Sequence, residues 1–317
     1  MAASCHAPFG GPLMRGLVSE GSRSASPMAR HYEMPTLILA LIIHGGWLAL
    51  TWWHALLGPW ALAVAGGWVI AWHGSLQHET IHGHPTPHHW LNTLIGGVPL
   101  ALWLPYAIYR RTHLAHHDSP AITDPFDDPE SRYLTGRAHR GAILLGGLEA
   151  SLLGRLLIGP LLIVGRFLGN EMLRVRRQPA ATARDWIVHL CAVAAILSWL
   201  RLCGISPGRY LLLFVYPGTA LTLLRSFAEH RAGREPDHRV AIVEDRGPLA
   251  LLFLNNNLHA THHRAPGLSW YELPDFHRRH RAAIVAGNGG LLYRNFAEVA
   301  RRYLLRPHDA LVHPDHV

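Results

Sequence analysis

Residues 35–58 run for 24 positions without an Asp, Glu, Lys or Arg. A helix needs about 20 apolar residues to cross the hydrocarbon core of a bilayer. Pro59 breaks this run or opens the next helix, and a second apolar stretch follows at 60–77. Together they read as a transmembrane hairpin with a very short turn. Residues 186–200 and 210–224 make another apolar pair. Each is short for a span and borrows flanking residues, with Arg201 and Arg209 placed to snorkel to the surface.

Two further segments are less regular. Residues 90–109 are uncharged but interrupted by Gly96, Gly97, Pro99 and Pro105. Such a segment either spans or enters the membrane and returns, and the second requires protein to cover its backbone. Residues 141–169 are apolar yet carry Glu149, Arg155 and Arg166, which suits an interfacial helix or a hairpin along the surface. The positive-inside rule places 78–185 and 225–317 on the cytoplasmic side, so that 90–109 must re-enter.

Composition narrows the class. Only 16% of the residues are charged, against about 25% in an ordinary soluble domain. A disordered chain is poorer in apolar residues. Cys5, Cys191 and Cys203 form no disulfide framework. All 29 basic residues are Arg, giving a net charge of +8. They flank apolar runs, which suits an anionic membrane leaflet and argues against nucleic acid as a partner. Helices of similar length occur inside large soluble proteins. The uncharged first run and a mean hydropathy of +0.11 favour the membrane.

The 25 His are the chemical clue. His78 and His82 form HxxxH. His113, His116 and His117 form HxxHH, and His259, His262 and His263 repeat it. Positions i, i+3 and i+4 share one side of a helix. Each cluster follows an apolar element. His230, just past the last apolar run, is a ninth candidate. Roughly four to six donors satisfy one transition-metal ion, so nine point to two. Neutral imidazole suits Fe, Zn, Cu and Ni, and a redox pair of irons uses this supply best. Around the ligands, His73, Glu79, His84, Asp118, Glu229 and Asn257 are candidates for orienting them. Asn255 and Asn256 also precede the third cluster, where helix capping is the competing role. His44, His54 and His189 read as helix packing. His277, His280, His308, His313 and His316 read as solvated tail and loop residues. The expected fold is all-α and integral to the membrane. It has about four transmembrane helices, a re-entrant hairpin and a cytoplasmic His-rich helical cap that holds two metals.

On these three histidine boxes and the extra His230, the sequence resembles the integral-membrane fatty acid desaturase superfamily, which includes alkane hydroxylases and carotenoid ketolases and hydroxylases. The likeness covers roughly residues 35–285. The strings at 73–85 and 109–117 resemble a bacterial branch near the dihydrorhizobitoxine desaturases. The resemblance implies a non-haem di-iron centre, with O2 as oxidant. It also implies a fatty acyl or other lipid substrate, and electrons from a ferredoxin, rubredoxin, cytochrome or reductase. Asn257-Leu258 precede the third box where many acyl-CoA and acyl-lipid desaturases carry Gln or other residues. No cytochrome b5 domain is fused, so the electron donor is expected to be separate.

The implied organisation is a flexible tail at 1–33, a membrane-embedded desaturase-like domain at 34–285 and a C-terminal cytoplasmic segment at 286–317. The implied location is the bacterial inner membrane, with the site on the cytoplasmic side. Desaturation is the leading expectation. Hydroxylation and terminal-alkene-forming decarboxylation use the same ligands and are the alternatives. A metal transporter would need polar residues near mid-membrane. Only His44, His54 and His189 are candidates, with no carboxylate beside them.

Overall fold

A computed structural model describes residues 31–317. The tail expected at 1–33 therefore lies outside the described residues except for its last three. Of these, Glu33 is anchored by His84 and Ser269.

Helix α1 (Met34–Trp52) and helix α2 (Pro59–Ile81) form the first hairpin, joined by a short 3-10 turn, with Pro59 opening α2. Helix α3 (His89–Gly96) and helix α4 (Tyr106–Asp118) follow, separated by irregular backbone. Helices α5 (Arg140–Leu148), α6 (Leu152–Leu157) and α7 (Gly159–Arg177) break the next apolar stretch into pieces. They expose Leu144, Leu153, Leu161 and Met172. Helix α8 (Pro179–Leu202) and helix α9 (Pro207–Glu229) complete the long elements, and α9 contains a π-helical turn at Leu211–Val215. Among the described residues, α1, α8 and α9 are long and apolar enough to cross a membrane. The protein is thus all-α and membrane-associated, apart from one short parallel strand pair.

Helix α2 is the inner helix. Glycine lets it meet α9 closely: a Cβ on Gly66 would lie 2.7 Å from Phe214, and one on Gly218 would lie 2.5 Å from Ile70. Small residues at such crossings allow backbones to approach. In contrast, α1 and α8 expose Leu41, Ile42, Ile187 and Val188, as lipid-facing surfaces do.

The irregular stretch 97–105 is covered by protein. Trp47 Nε1 donates to the Tyr210 hydroxyl at 2.8 Å, and that hydroxyl donates to Leu100 O at 2.7 Å. His189 Nε2 lies 2.9 Å from Leu102 O. Backbone groups away from water need such partners. His54 also packs, with Nε2 3.0 Å from Cys203 O.

The cap is built from the segments after α9. Strand β1 (Ile242–Val243) pairs in parallel with strand β2 (Leu292–Tyr293). Helices α10 (Pro248–Leu252), α11 (His259–Arg264), α12 (Leu273–Gly287) and α13 (Phe296–Tyr303) surround that pair. Residues 286–317 are integrated into this cap. Tyr293, Phe296 and Val299 are buried against Phe227 and Phe253.

Candidate metal centre

Helical periodicity sets the first level of the site. His78 lies in the last turn of α2 and His82 caps that helix. His113, His116 and His117 occupy the final turns of α4. Consecutive residues on a helix diverge by about 100°, so His116 and His117 cannot face one ion. His113 and His117, four apart, can.

The tertiary fold sorts the nine histidines accordingly. His78, His82, His113, His117 and His262 form one group, and His116, His230, His259 and His263 form the other. Within each group the donor atoms all lie within 4.8 Å of one another. In the first, His82 Nε2 and His113 Nε2 are 3.0 Å apart, and His117 Nε2 is 3.2 Å from His262 Nε2. In the second, His259 Nε2 lies 2.9 Å from His230 Nε2 and 3.1 Å from His263 Nε2. The His117 and His263 rings stack across the divide at 4.3 Å. The i, i+4 pair of each HxxHH enters one group and the middle histidine crosses to the other.

Strand-like backbone registers the second group. His230 sits in extended conformation just past α9 and bridges to Val240. Ala241 N donates to Glu229 O, and Ala260 N donates to Ala241 O. Residues 240–243 therefore clamp His230 beside α11.

Polar side chains turn the rings. His116 Nδ1 is 2.8 Å from Asp128 Oδ1, and His113 Nδ1 is 3.0 Å from Glu130 Oε1. His259 Nδ1 is 3.1 Å from Asn256 Oδ1 and 3.4 Å from Glu229 Oε1. Glu229 in turn pairs with Arg225 at 2.9 Å. Glu79 lies 3.8 Å from His78 and accepts a hydrogen bond from Trp270 N. Partners of this kind fix the tautomer of a ligating imidazole.

Other sequence candidates are placed differently. Asp118 is exposed, because α4 ends with its side chain turned from the ligand face, and the carboxylates of the following loop take its expected role. Asn257 bonds Val243 O and Asp245 O, so it fastens β1, while Asn256 reaches the imidazoles. His73 is buried edge-on against His44. His84 pairs with Glu33 at 2.6 Å. Buried His277, His308 and His313 differ from the expected solvated residues. His277 holds Thr261 Oγ1, inside the third box, at 2.7 Å.

In the sequence, Asp124, Asp127, Asp128 and Glu130 form only an acidic patch, with nothing local to tie any one of them to a histidine. The four-residue spacing of Arg225 and Glu229 was the available signal for that pair. Nothing local linked Glu33 to His84, 51 positions away.

Electrostatics suit neutral nitrogen donors. Burial, followed by the charges of neighbouring imidazoles, holds His117, His259, His262 and His263 well below the ordinary histidine range. Burial also lowers His116, but the Asp128 hydrogen bond and the charges of Glu130, Asp128 and Glu229 together outweigh it and raise His116 above the ordinary histidine value. Burial pushes Glu130 up, and the charge and hydrogen bond of His113, with the charges of His116 and His230, outweigh this and bring it to about 2.

The residues fit two metal ions. Close Nε2 pairs cannot satisfy one another when both are unprotonated acceptors. His116 Nε2 is buried without a partner. A buried polar atom of this kind calls for a ligand or costs free energy.

An apolar helical frame with clustered imidazoles at its helix ends defines a membrane-associated metalloprotein. The fatty acid desaturase family matches residues 51–296 of the chain. No curated protein matches it. The chain belongs to the fatty acid desaturase family and is an oxidoreductase of its non-haem di-iron membrane type.

Proposed function

We propose that the protein is an O2-dependent desaturase that introduces a double bond into a fatty acyl or similar aliphatic chain. The observation that carries this reading is the division of nine histidines into groups of five and four, within a chain of the fatty acid desaturase family. Each group would hold one iron. Bound there, the two irons would supply the redox chemistry for attack on an unactivated C–H bond.

The chain's own residues do the positioning. Neutral imidazoles present lone pairs. Asp128, Glu130 and Asn256 hold His116, His113 and His259 in register. Arg225 offsets the buried charge of Glu229. The site sits where α2 and α9 end, so an aliphatic chain approaches between apolar helices while the cap excludes water. Electrons come from a separate ferredoxin, rubredoxin, cytochrome or reductase.

In this reading α2 is the fourth transmembrane helix, and the segment from α3 to α4 enters and returns. The location is a bacterial inner membrane, with the cap in the cytoplasm beside its arginines. The strings at 73–85 and 109–117 relate the chain to the branch near the dihydrorhizobitoxine desaturases.

The test uses purified iron-loaded protein with a fatty acyl substrate, O2 and a reductase system. A product two hydrogens lighter is expected. A hydroxylated product, or a terminal alkene one carbon shorter, would overturn desaturation in favour of another chemistry on the same ligands.

A further inference from the structure

A buried chain of hydrogen bonds leads away from the four-histidine group to residues far along the sequence. Asp128 Oδ1 faces His116 Nδ1 at 2.8 Å. Its other oxygen accepts from Thr123 N at 2.8 Å. Thr123 Oγ1 lies 3.1 Å from His313 Nε2, across 190 positions of sequence. All four residues are buried, and His313 is fully so.

The backbone on both sides is held for this contact. Thr123 has φ +75°, a left-handed conformation that a β-branched residue adopts only under strain. Leu134 N donates to Leu311 O, His313 N donates to Leu134 O, and Gly136 N donates to His316 O. A Cβ on Gly136 would lie 2.9 Å from the Val317 backbone, so glycine permits this close approach. Residues 311–316 thus lie as a strap against the loop that carries Asp128 and Glu130.

The geometry points to His313 as a positioning residue for the four-histidine site, acting through Thr123 and Asp128 on the ring of His116. This rests on the reading that the histidine groups hold metal. Without the strap, Thr123 loses its partner at Oγ1, the 123–128 turn relaxes, and the Asp128 carboxylate no longer fixes the His116 tautomer. Asp124, His313 and His316 also cluster within 4.8 Å. Both His313 nitrogens are engaged there, by Thr123 Oγ1 and Asp315 N, and Arg239 bonds Asp315 beside them. These contacts favour the hydrogen-bonded role over a third metal.

The experiment titrates Co(II) into the full-length metal-free protein in detergent, reading stoichiometry, affinity and the visible spectrum. Wild type is expected to bind two Co(II). His313→Phe should weaken one of the two sites about tenfold and alter its spectrum, because outer partners of metal-bound histidine carry effects of about 10–100-fold. Thr123→Val should weaken the same site, and His313→Gln should restore it to within about threefold. His308→Phe is the control: it removes another buried histidine of this segment, one bonded to Tyr293, and should leave both sites unchanged. If His313→Phe does not fold, Thr123→Val decides. Wild-type Co(II) binding in the variant that decides would overturn the proposal. So would equal weakening in His308→Phe, or a third Co(II) lost with His313. Failure of wild type to bind Co(II) would instead break the metal-site reading itself.

Discussion

The second and third histidine boxes have the same spacing and different support. His113–His117 ride on a 13-residue helix, and two carboxylates from the next loop, Glu130 and Asp128, hold its imidazoles. His259–His263 ride on a six-residue helix. They rely on an amide, Asn256, on Glu229 at 3.4 Å from His259, and on backbone bonds to residues 240–243. The comparison teaches that the motif encodes which nitrogens share a metal, while rigidity comes from whatever packs behind it. One box is held mainly by two carboxylates, the other by an amide, a more distant carboxylate and backbone register.

The largest expected effect breaks the first coordination layer. His263→Ala leaves three donors in its group, whereas His113→Ala leaves four in the other. Both should abolish the proposed desaturation, and His263→Ala should lose a full equivalent of iron. His113→Ala should retain part of its iron, as read by elemental analysis. Equal retention by the two variants would show that the five-donor group has no reserve.

The next effect tests charge against amide support. Asp128→Asn should weaken metal affinity by about 10–100-fold, and Asn256→Ala by about tenfold or less. Cobalt titration of both variants measures this. A larger loss for Asn256→Ala would reverse the ranking of the two boxes.

Metal removal should loosen the third box first. Hydrogen exchange of chelator-treated protein should rise more over 256–264 than over 106–118, because the shorter helix has fewer internal bonds. Uniform exchange would remove the distinction.

The smallest effect is pH dependence of the metal-free protein. The folded state holds His117, His259, His262 and His263 below the unfolded value, which is about 6.5. Below that value the unfolded chain takes up protons that the folded cap refuses. Stability should therefore fall as pH drops from about 7 to about 5. Thermal unfolding in detergent checks the sign, and a midpoint that rises on acidification would contradict it. Bound metal should flatten the slope, since it competes with the proton for the same lone pairs.

Much of this molecule was legible locally. Apolar runs announced α1, α8 and α9, and the broken run at 141–169 falls into three helices that each expose leucines. The interrupted stretch at 90–109 is indeed irregular at its centre, where neither flanking helix is of membrane length. Outer partners were less legible. Asp118 adjoins a box in sequence yet points outward, while Asp128 reaches in because the 119–128 turn folds back. His313 read as tail, and it is buried where its N–H donates to Leu134 O, far earlier in the chain.

The sequence by itself determined the membrane-suited helices and the three boxes, because hydrophobic runs and i, i+3, i+4 spacing act through neighbours on one helix. Only the tertiary structure decided how nine imidazoles divide into five and four, and which carboxylate or amide holds each ring. Those choices depend on contacts between residues as much as 191 positions apart. No local pattern encodes them: they arise when the cap packs against the ends of α2 and α9, and buried donors and acceptors must find partners there.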